Sequence, residues 1–208
     1  MLSTTSSVAF KFKNGIIHIA DTGVSYGSLA LTTLNRIFVI NGTLVTFNGY
    51  VGDFLEVKRI LEEEIESDKR EIDCSGIHKL LQLYIYGKRT RVEPKFCSII
   101  VSGIQKNGEK FLGVIKSKGT FWYDDFAATG FASYFLLPLL RSKNLLEMTK
   151  EEAVVYAHEL CRVLIYKDAK ATNKIQIGVV SDDGRIEVRN EVVETNWDVG
   201  YKLNEIKL

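Results

Sequence analysis

Four short turns constrain this chain more than any other feature. Asn14-Gly15, Asn41-Gly42, Asn107-Gly108 and Asp183-Gly184 are each flanked by β-type residues. Such pairs reach the left-handed backbone of a tight hairpin at little steric cost, and their twist matches that of the strands they join. The flanking runs are Val8 to Lys13 with Ile16 to Ala20, Ile37 to Ile40 with Leu44 to Phe47, Ile99 to Ile104 with Phe111 to Ile115, and Ile175 to Val180 with Ile186 to Val188. Four antiparallel hairpins, and so at least eight strands, are expected.

Helical spacing separates the hairpins. Val57, Ile60, Leu61 and Ile65 repeat on one helical face, and Ile77, Leu80, Leu81, Tyr84 and Ile85 do so again. After the third hairpin and the aromatic run Phe121-Trp122-Tyr123, a segment from about Phe131 to Arg141 precedes a longer helix that opens at Thr149. Thr149-Lys150-Glu151-Glu152 has the form of a capping box, with reciprocal bonds between the threonine, the glutamate and the backbone. The order is hairpin, hairpin, two helices, hairpin, two helices, hairpin. Cys97 to Ile104 and Ile175 to Val180 are apolar or small at nearly every position, so both of their faces are covered. Two stacked antiparallel sheets with a helix pair on each outer side satisfy this order. Periodicity alone also admits a single sheet with helices on both faces.

Nothing breaks the chain into domains. Pro94 and Pro138 are the only prolines, and no Gly/Ser-rich stretch acts as a linker, so one domain over residues 1–208 is expected. With 27 basic against 26 acidic residues and no basic cluster, binding through phosphate neutralisation lacks support, and nucleic acid is not an expected partner. Cys74, Cys97 and Cys161 are widely spaced without a CxxC pair, which argues against a disulfide framework or zinc site and for a reducing compartment. No apolar run nears the roughly 18 residues that span a bilayer, and no secretory leader is apparent, so no membrane association is expected.

Few residues carry a chemical signal. Asp21 ends an apolar strand, where an ordinary turn carboxylate is as good an account as a functional one. Asp168 falls at the end of the fourth helix, where an acid opposes the helix dipole and calls for a compensating hydrogen bond. His18, His78 and His158 stand singly and are expected to be packed or surface side chains, not metal ligands. Glu62 to Glu66 forms a solvated helix face, and Cys161 belongs to an apolar stripe. No phosphate loop or dinucleotide fingerprint is present, so neither cofactor nor metal is expected. Thr4 and Thr5 raise one further possibility, since a threonine with a free α-amine is a recognised nucleophile.

Several pieces together resemble the β-type subunits of the eukaryotic proteasome core particle over nearly the whole chain. They are Val8 to Ile17 leading to Ala20-Asp21, Ser25-Tyr26-Gly27-Ser28-Leu29, Ser98 to Gly103, Ala128-Thr129-Gly130 and Tyr166-Lys167-Asp168-Ala169. The Ser25 to Leu29 turn, Pro138-Leu139-Leu140-Arg141 and Asn196-Trp197-Asp198 look most like the members at the seventh ring position, which are non-catalytic. The resemblance implies an α+β fold, the four-layer αββα sandwich of the N-terminal-nucleophile hydrolases. In active members a threonine freed by self-cleavage after glycine works with a lysine, two aspartates and two serines.

By that likeness the nucleophile position falls on Thr5, preceded by Thr4 and not glycine, and the lysine position holds Arg36. Asp21 and Asp168 match the aspartates, Thr129 stands near one serine position and Ala171 replaces the other. Arginine does not replace lysine in proton transfer, because its planar guanidinium keeps its proton. A degenerate site is therefore expected, with Arg36 pairing one of the aspartates. The leading expectation is a structural subunit; the alternative is an active peptidase using Thr5, and a third is an assembly-only partner outside the mature particle. The partners implied are other α and β subunits in stacked seven-membered rings, with assembly chaperones possible, in cytoplasm and nucleus. Residues 197–208 form the expected interaction tail, with Trp197, Tyr201, Leu203 and Ile206 as anchors.

Overall fold

A computed structural model of the chain describes residues 1–67 and 72–197. Its strands are β1 Leu2–Thr4, β2 Ser7–Phe12, β3 Gly15–Asp21, β4 Gly23–Tyr26, β5 Leu29–Thr33, β6 Ile37–Ile40, β7 Thr43–Tyr50, β8 Cys97–Ile104, β9 Lys110–Ile115, β10 Phe121–Tyr123, β11 Phe126–Thr129, β12 Lys174–Ser181 and β13 Ile186–Val192. Its helices are α1 Val51–Ser67, α2 Cys74–Thr90, α3 Ala132–Phe135, α4 Leu137–Arg141 and α5 Lys150–Lys167, with one 3-10 turn at Leu145–Glu147.

All four expected hairpins form, but their turns differ. Asn41 and Gly42, at φ 45° and 69°, are the two central residues between Ile40 and Thr43. Gly108 and Gly184 instead close longer loops from a left-handed position. At the first hairpin Phe12 pairs with Gly15, so Lys13 and Asn14 make the turn and Gly15 opens β3. Glycine is needed there for close approach: a Cβ would lie 2.3 Å from the Val180 carbonyl oxygen and 2.8 Å from the Phe12 ring.

The strands form two antiparallel sheets. The larger runs β10-β9-β8-β7-β1-β4-β5, with β6 also paired to β7, and the smaller runs β11-β2-β3-β12-β13. A fifth hairpin, β4–β5, turns at Gly27 (φ 59°) and was not anticipated, because Gly27-Ser28 sits in a run without clear alternation. β1, β10 and β11, of three, three and four residues, are likewise too short to show an alternation in the sequence.

Three apolar layers hold the sandwich. Ala9, Ile16, Leu44, Ile100, Val114 and Val180 fill the space between the sheets. Phe47, Phe54, Val57, Leu61, Ile77 and Leu81 join the larger sheet to α1 and α2. Phe10, Ile17, Leu136, Leu140, Tyr156 and Leu160 join the smaller sheet to α3, α4 and α5. This settles the arrangement as αββα and excludes a single sheet. The Thr149 capping box is made in both directions, and Asp73 caps α2 by accepting from the Gly76 amide at 2.8 Å. The segment expected from Phe131 to Arg141 is two short helices, with the break at Leu136. Pro138 lies in the first turn of α4, where a missing N–H is harmless, and so starts a helix more readily than it continues one.

Candidate functional site

Thr5 and Ser6 carry the chain from β1 in the larger sheet to β2 in the smaller, at one end of the sandwich. β1 is paired on both sides, Leu2 and Ser3 to β4 and Ser3 and Thr4 to β7, so Thr5 follows a strand built into the sheet. Its nitrogen is here a peptide amide. The Thr5 carbonyl accepts from Asn48 Nδ2 at 2.6 Å. Gly130, at φ 64°, passes so close that a Cβ would sit 2.1 Å from that carbonyl oxygen. A cleft of about 600 Å³ opens beside Thr5, lined among others by Ser3, Asn48, Phe96, Lys116, Tyr134 and Lys170.

Arg36 is the centre of the site and is wholly buried. Its Nη1 donates to the Asp21 carboxylate at 2.6 Å and to the Asp21 carbonyl at 2.9 Å. Nε and Nη2 both donate to the Phe47 carbonyl, at 3.2 and 3.0 Å. The guanidinium thus ties the end of β3 to β7 across the two sheets. The Gln176 side chain fixes the backbone at this point, its oxygen accepting from the Arg36 and Ile37 amides at 2.7 Å each. Gln176 stands out as a polar residue in an apolar strand, a signal that could have marked it.

Asp21 is held from several directions. Oδ1 accepts from Arg36 and from the Thr5 hydroxyl at 3.2 Å, and Oδ2 accepts from the Gly23 amide at 3.1 Å. Burial pushes its carboxyl above the ordinary value, and the charge of Arg36 opposes that rise. Burial likewise lowers Arg36 from its ordinary value, against the pull of Asp21. A guanidinium begins so high that it remains a cation at neutral pH. It cannot take a proton from Thr5, and among the described residues the threonine hydroxyl donates to a carboxylate already paired with arginine.

The other expected members are only partly gathered here. Asp168 caps α5 and is buried; its Oδ1 accepts from the Lys170 amide at 3.0 Å, which supplies the compensation expected at a helix end. Its Oδ2 has no hydrogen-bond partner among the described residues. It bears electrostatically on both Asp21 and Arg36 but bonds to neither. Of the two aspartates, Arg36 pairs with Asp21. Thr129 pairs with Ser7, oxygen to oxygen at 2.5 Å, across the β2–β11 ladder. Ala171 offers only its amide, to the Asp168 carbonyl at 2.9 Å. Trp197 packs edge-on to Tyr166 at 5.0 Å and remains 60% exposed. Tyr201, Leu203 and Ile206 lie outside the described residues.

His18 is a buried polar residue between the sheets. Its ring nitrogens meet Thr46 Oγ1 and Ser102 Oγ, each at 2.6 Å, and burial lowers its pKa to about 3. His78 is packed in an aromatic cluster with Phe111, Phe121 and Tyr123, and His158 pairs with Glu191 at 2.6 Å. Among the described residues no three His, Cys, Asp or Glu side chains come together as a metal site.

Two antiparallel sheets between helix layers, with a threonine leading into the strand that pairs β3 and β11, define the N-terminal-nucleophile hydrolase fold. The chain belongs to the proteasome subunit family, whose model matches residues 1–180. It is 35% identical to a probable proteasome subunit beta type-7 of Encephalitozoon cuniculi, over 97% of this chain and 96% of that one. It is 32% identical to proteasome subunit beta type-4 of Xenopus laevis, over 98% and 88%. A proteasome subunit beta 2 of Pyrobaculum neutrophilum is 26% identical, over 90% and 95%.

Proposed function

We propose that this chain is a non-catalytic β subunit of the proteasome core particle, serving ring assembly and the joining of half-particles in protein degradation. The observation that carries this reading is the wholly buried Arg36, committed to Asp21 and to the Phe47 carbonyl. It occupies the place where the resemblance puts a proton-transferring lysine. Loss of such a group typically lowers a rate by about 10²–10⁴. The paired strand β1 supports the same reading, since Thr5 needs a free amine to act as its own base.

In the particle the subunit holds one place in a seven-membered β ring, against an α subunit, two β neighbours and the opposite β ring, in cytoplasm and nucleus. Residues 197–208 reach a neighbour, with Trp197 at their base. The test is the intact mass of this chain taken from native core particles, together with labelling by a covalent probe for N-terminal threonines. A chain that retains residues before Thr5 and stays unlabelled is expected. A chain that begins at Thr5 and carries the label is a working peptidase, and the reading is wrong. Absence from complete cores would point instead to an assembly-only partner.

A further inference from the structure

Lys11, Lys58, Lys95 and Lys150 each hold a carboxylate oxygen at 2.5 to 2.9 Å. Lys116 differs from them. Among the described residues its Nζ meets no carboxylate and makes no hydrogen bond; the contact it does make is with the Trp122 ring, 5.7 Å from the centroid. The side chain is half-buried all the same, on the wall of the cleft beside Thr5. Its backbone is fixed, since the Lys116 amide donates to the Thr120 carbonyl at 2.9 Å and the Lys116 carbonyl accepts from the Gly119 amide at 2.8 Å. Gly119, at φ 78°, lies so close to α2 that a Cβ would sit 2.7 Å from that of Tyr86, so the turn is seated on the helix layer.

Taking an ammonium part-way out of water without a carboxylate beside it favours the neutral amine. Burial lowers Lys116 from its ordinary value, and no charged group opposes that shift. The other charged side chain on the cleft wall, among the described residues, is Lys170, also basic. The Trp122 ring favours the ammonium, but it lies near the outer limit of about 6 Å for a cation–π contact. An amine so placed is unprotonated more of the time, and the free amine is the nucleophile of imine chemistry. No histidine or carboxylate lines the cleft, among the described residues, to act as a base for acyl transfer. The carbonyl that suits a bare amine is therefore an aldehyde. Phe131 and Tyr134, 51% and 76% exposed, line the same cleft and add aromatic surface. We propose that Lys116 is a covalent capture site for aromatic aldehydes. The amine lone pair adds to the carbonyl carbon and the C–N bond forms. Both amine hydrogens then leave with the carbonyl oxygen as water, and an imine remains, with no oxidant or reductant taking part. Thr5 is not used, so the site is independent of the reading above.

The full chain is treated at neutral pH with limiting benzaldehyde and cyanoborohydride, which reduces the imine to a stable benzylamine, and the modified lysines are located by peptide mass mapping. Lys118, exposed in the same turn, is the internal reference. Lys116 is expected to react faster than Lys118 by about tenfold or more, and the preference is expected to vanish in concentrated urea, where the cleft is lost. Equal rates, earlier reaction at another lysine, or a preference that survives in urea overturns the site. Formaldehyde in place of benzaldehyde separates the amine from its aromatic walls. A smaller preference for Lys116 is expected with it, and an equal one overturns the choice of an aromatic ligand. Lys116→Arg is expected to remove the dominant adduct with the melt of the chain unchanged. Capture that continues undiminished in this variant, at Lys170 across the cleft, overturns the assignment to Lys116.

Discussion

Removing one member of the Arg36–Asp21 pair leaves the other's charge buried with no counterion in contact. Asp21→Ala is therefore expected to destabilise the isolated chain by about 3–5 kcal/mol in urea unfolding. Arg36→Lys keeps the charge but cannot reproduce the fork that reaches both Asp21 and Phe47. A loss of about 1–3 kcal/mol is expected for it, the effect of an unsatisfied buried acceptor. A thermal and urea series in which both substitutions are neutral would remove Arg36 as a cross-sheet tie. His18 makes a second prediction. Its folded pKa of about 3 lies below the ordinary 6.5, so the unfolded chain binds the proton first as pH falls. Its contribution is complete above pH 6.5 and declines toward pH 3, by about 2 kcal/mol between pH 7 and pH 5. The urea midpoint is expected to fall over that interval in the native chain and by much less in His18→Asn; equal slopes would count against a neutral buried His18.

At the scale of elements, the local signals that worked were those whose physics is complete within a few residues. The Thr149 box needs only the first turn of α5, and Thr149→Ala is expected to reduce stability by about 1 kcal/mol. Gly130 is a contrasting case, because its requirement comes from elsewhere in the chain. Gly130→Ala adds a Cβ at 2.5 Å from Asn48 Nδ2 and closer still to the Thr5 carbonyl, at a positive φ. It is expected to destabilise more than Thr149→Ala in the same denaturation assay; a smaller effect would mean that the Thr5 connection shifts freely. Asn14-Gly15 shows both influences at once. The pair marked a hairpin correctly, yet the turn moved one residue back because Gly15 is held against Val180 and Phe12. β1, β11 and β4–β5 were not legible, since three to five residues are too few to show a period and their pairing comes from distant strands.

For the whole molecule, the larger sheet ends in two exposed edges, β5 and β10, and Trp197 stands partly free beside one of them. Deleting residues 198–208 is expected to leave the melting temperature of the isolated chain nearly unchanged and to slow the joining of half-particles. Joining at the normal rate, followed by native electrophoresis, would take this role away from the tail.

Chain pattern alone determined the four long hairpins, the helices between them, the capping box and the covering of both faces of β8 and β12, because each depends on spacing or on turn chemistry confined to a short window. The resemblance carried by its motifs located Thr5, Asp21, Arg36 and Asp168, and proposed that Arg36 pairs with an aspartate. Only the tertiary structure chose Asp21 over Asp168, put the Phe47 carbonyl under the guanidinium, sent Thr129 to Ser7 and set His18 between Thr46 and Ser102. Those partners lie 11 to 122 residues apart. A buried polar group takes whatever donor or acceptor the stacking of two sheets brings within reach, and no local pattern encodes that choice.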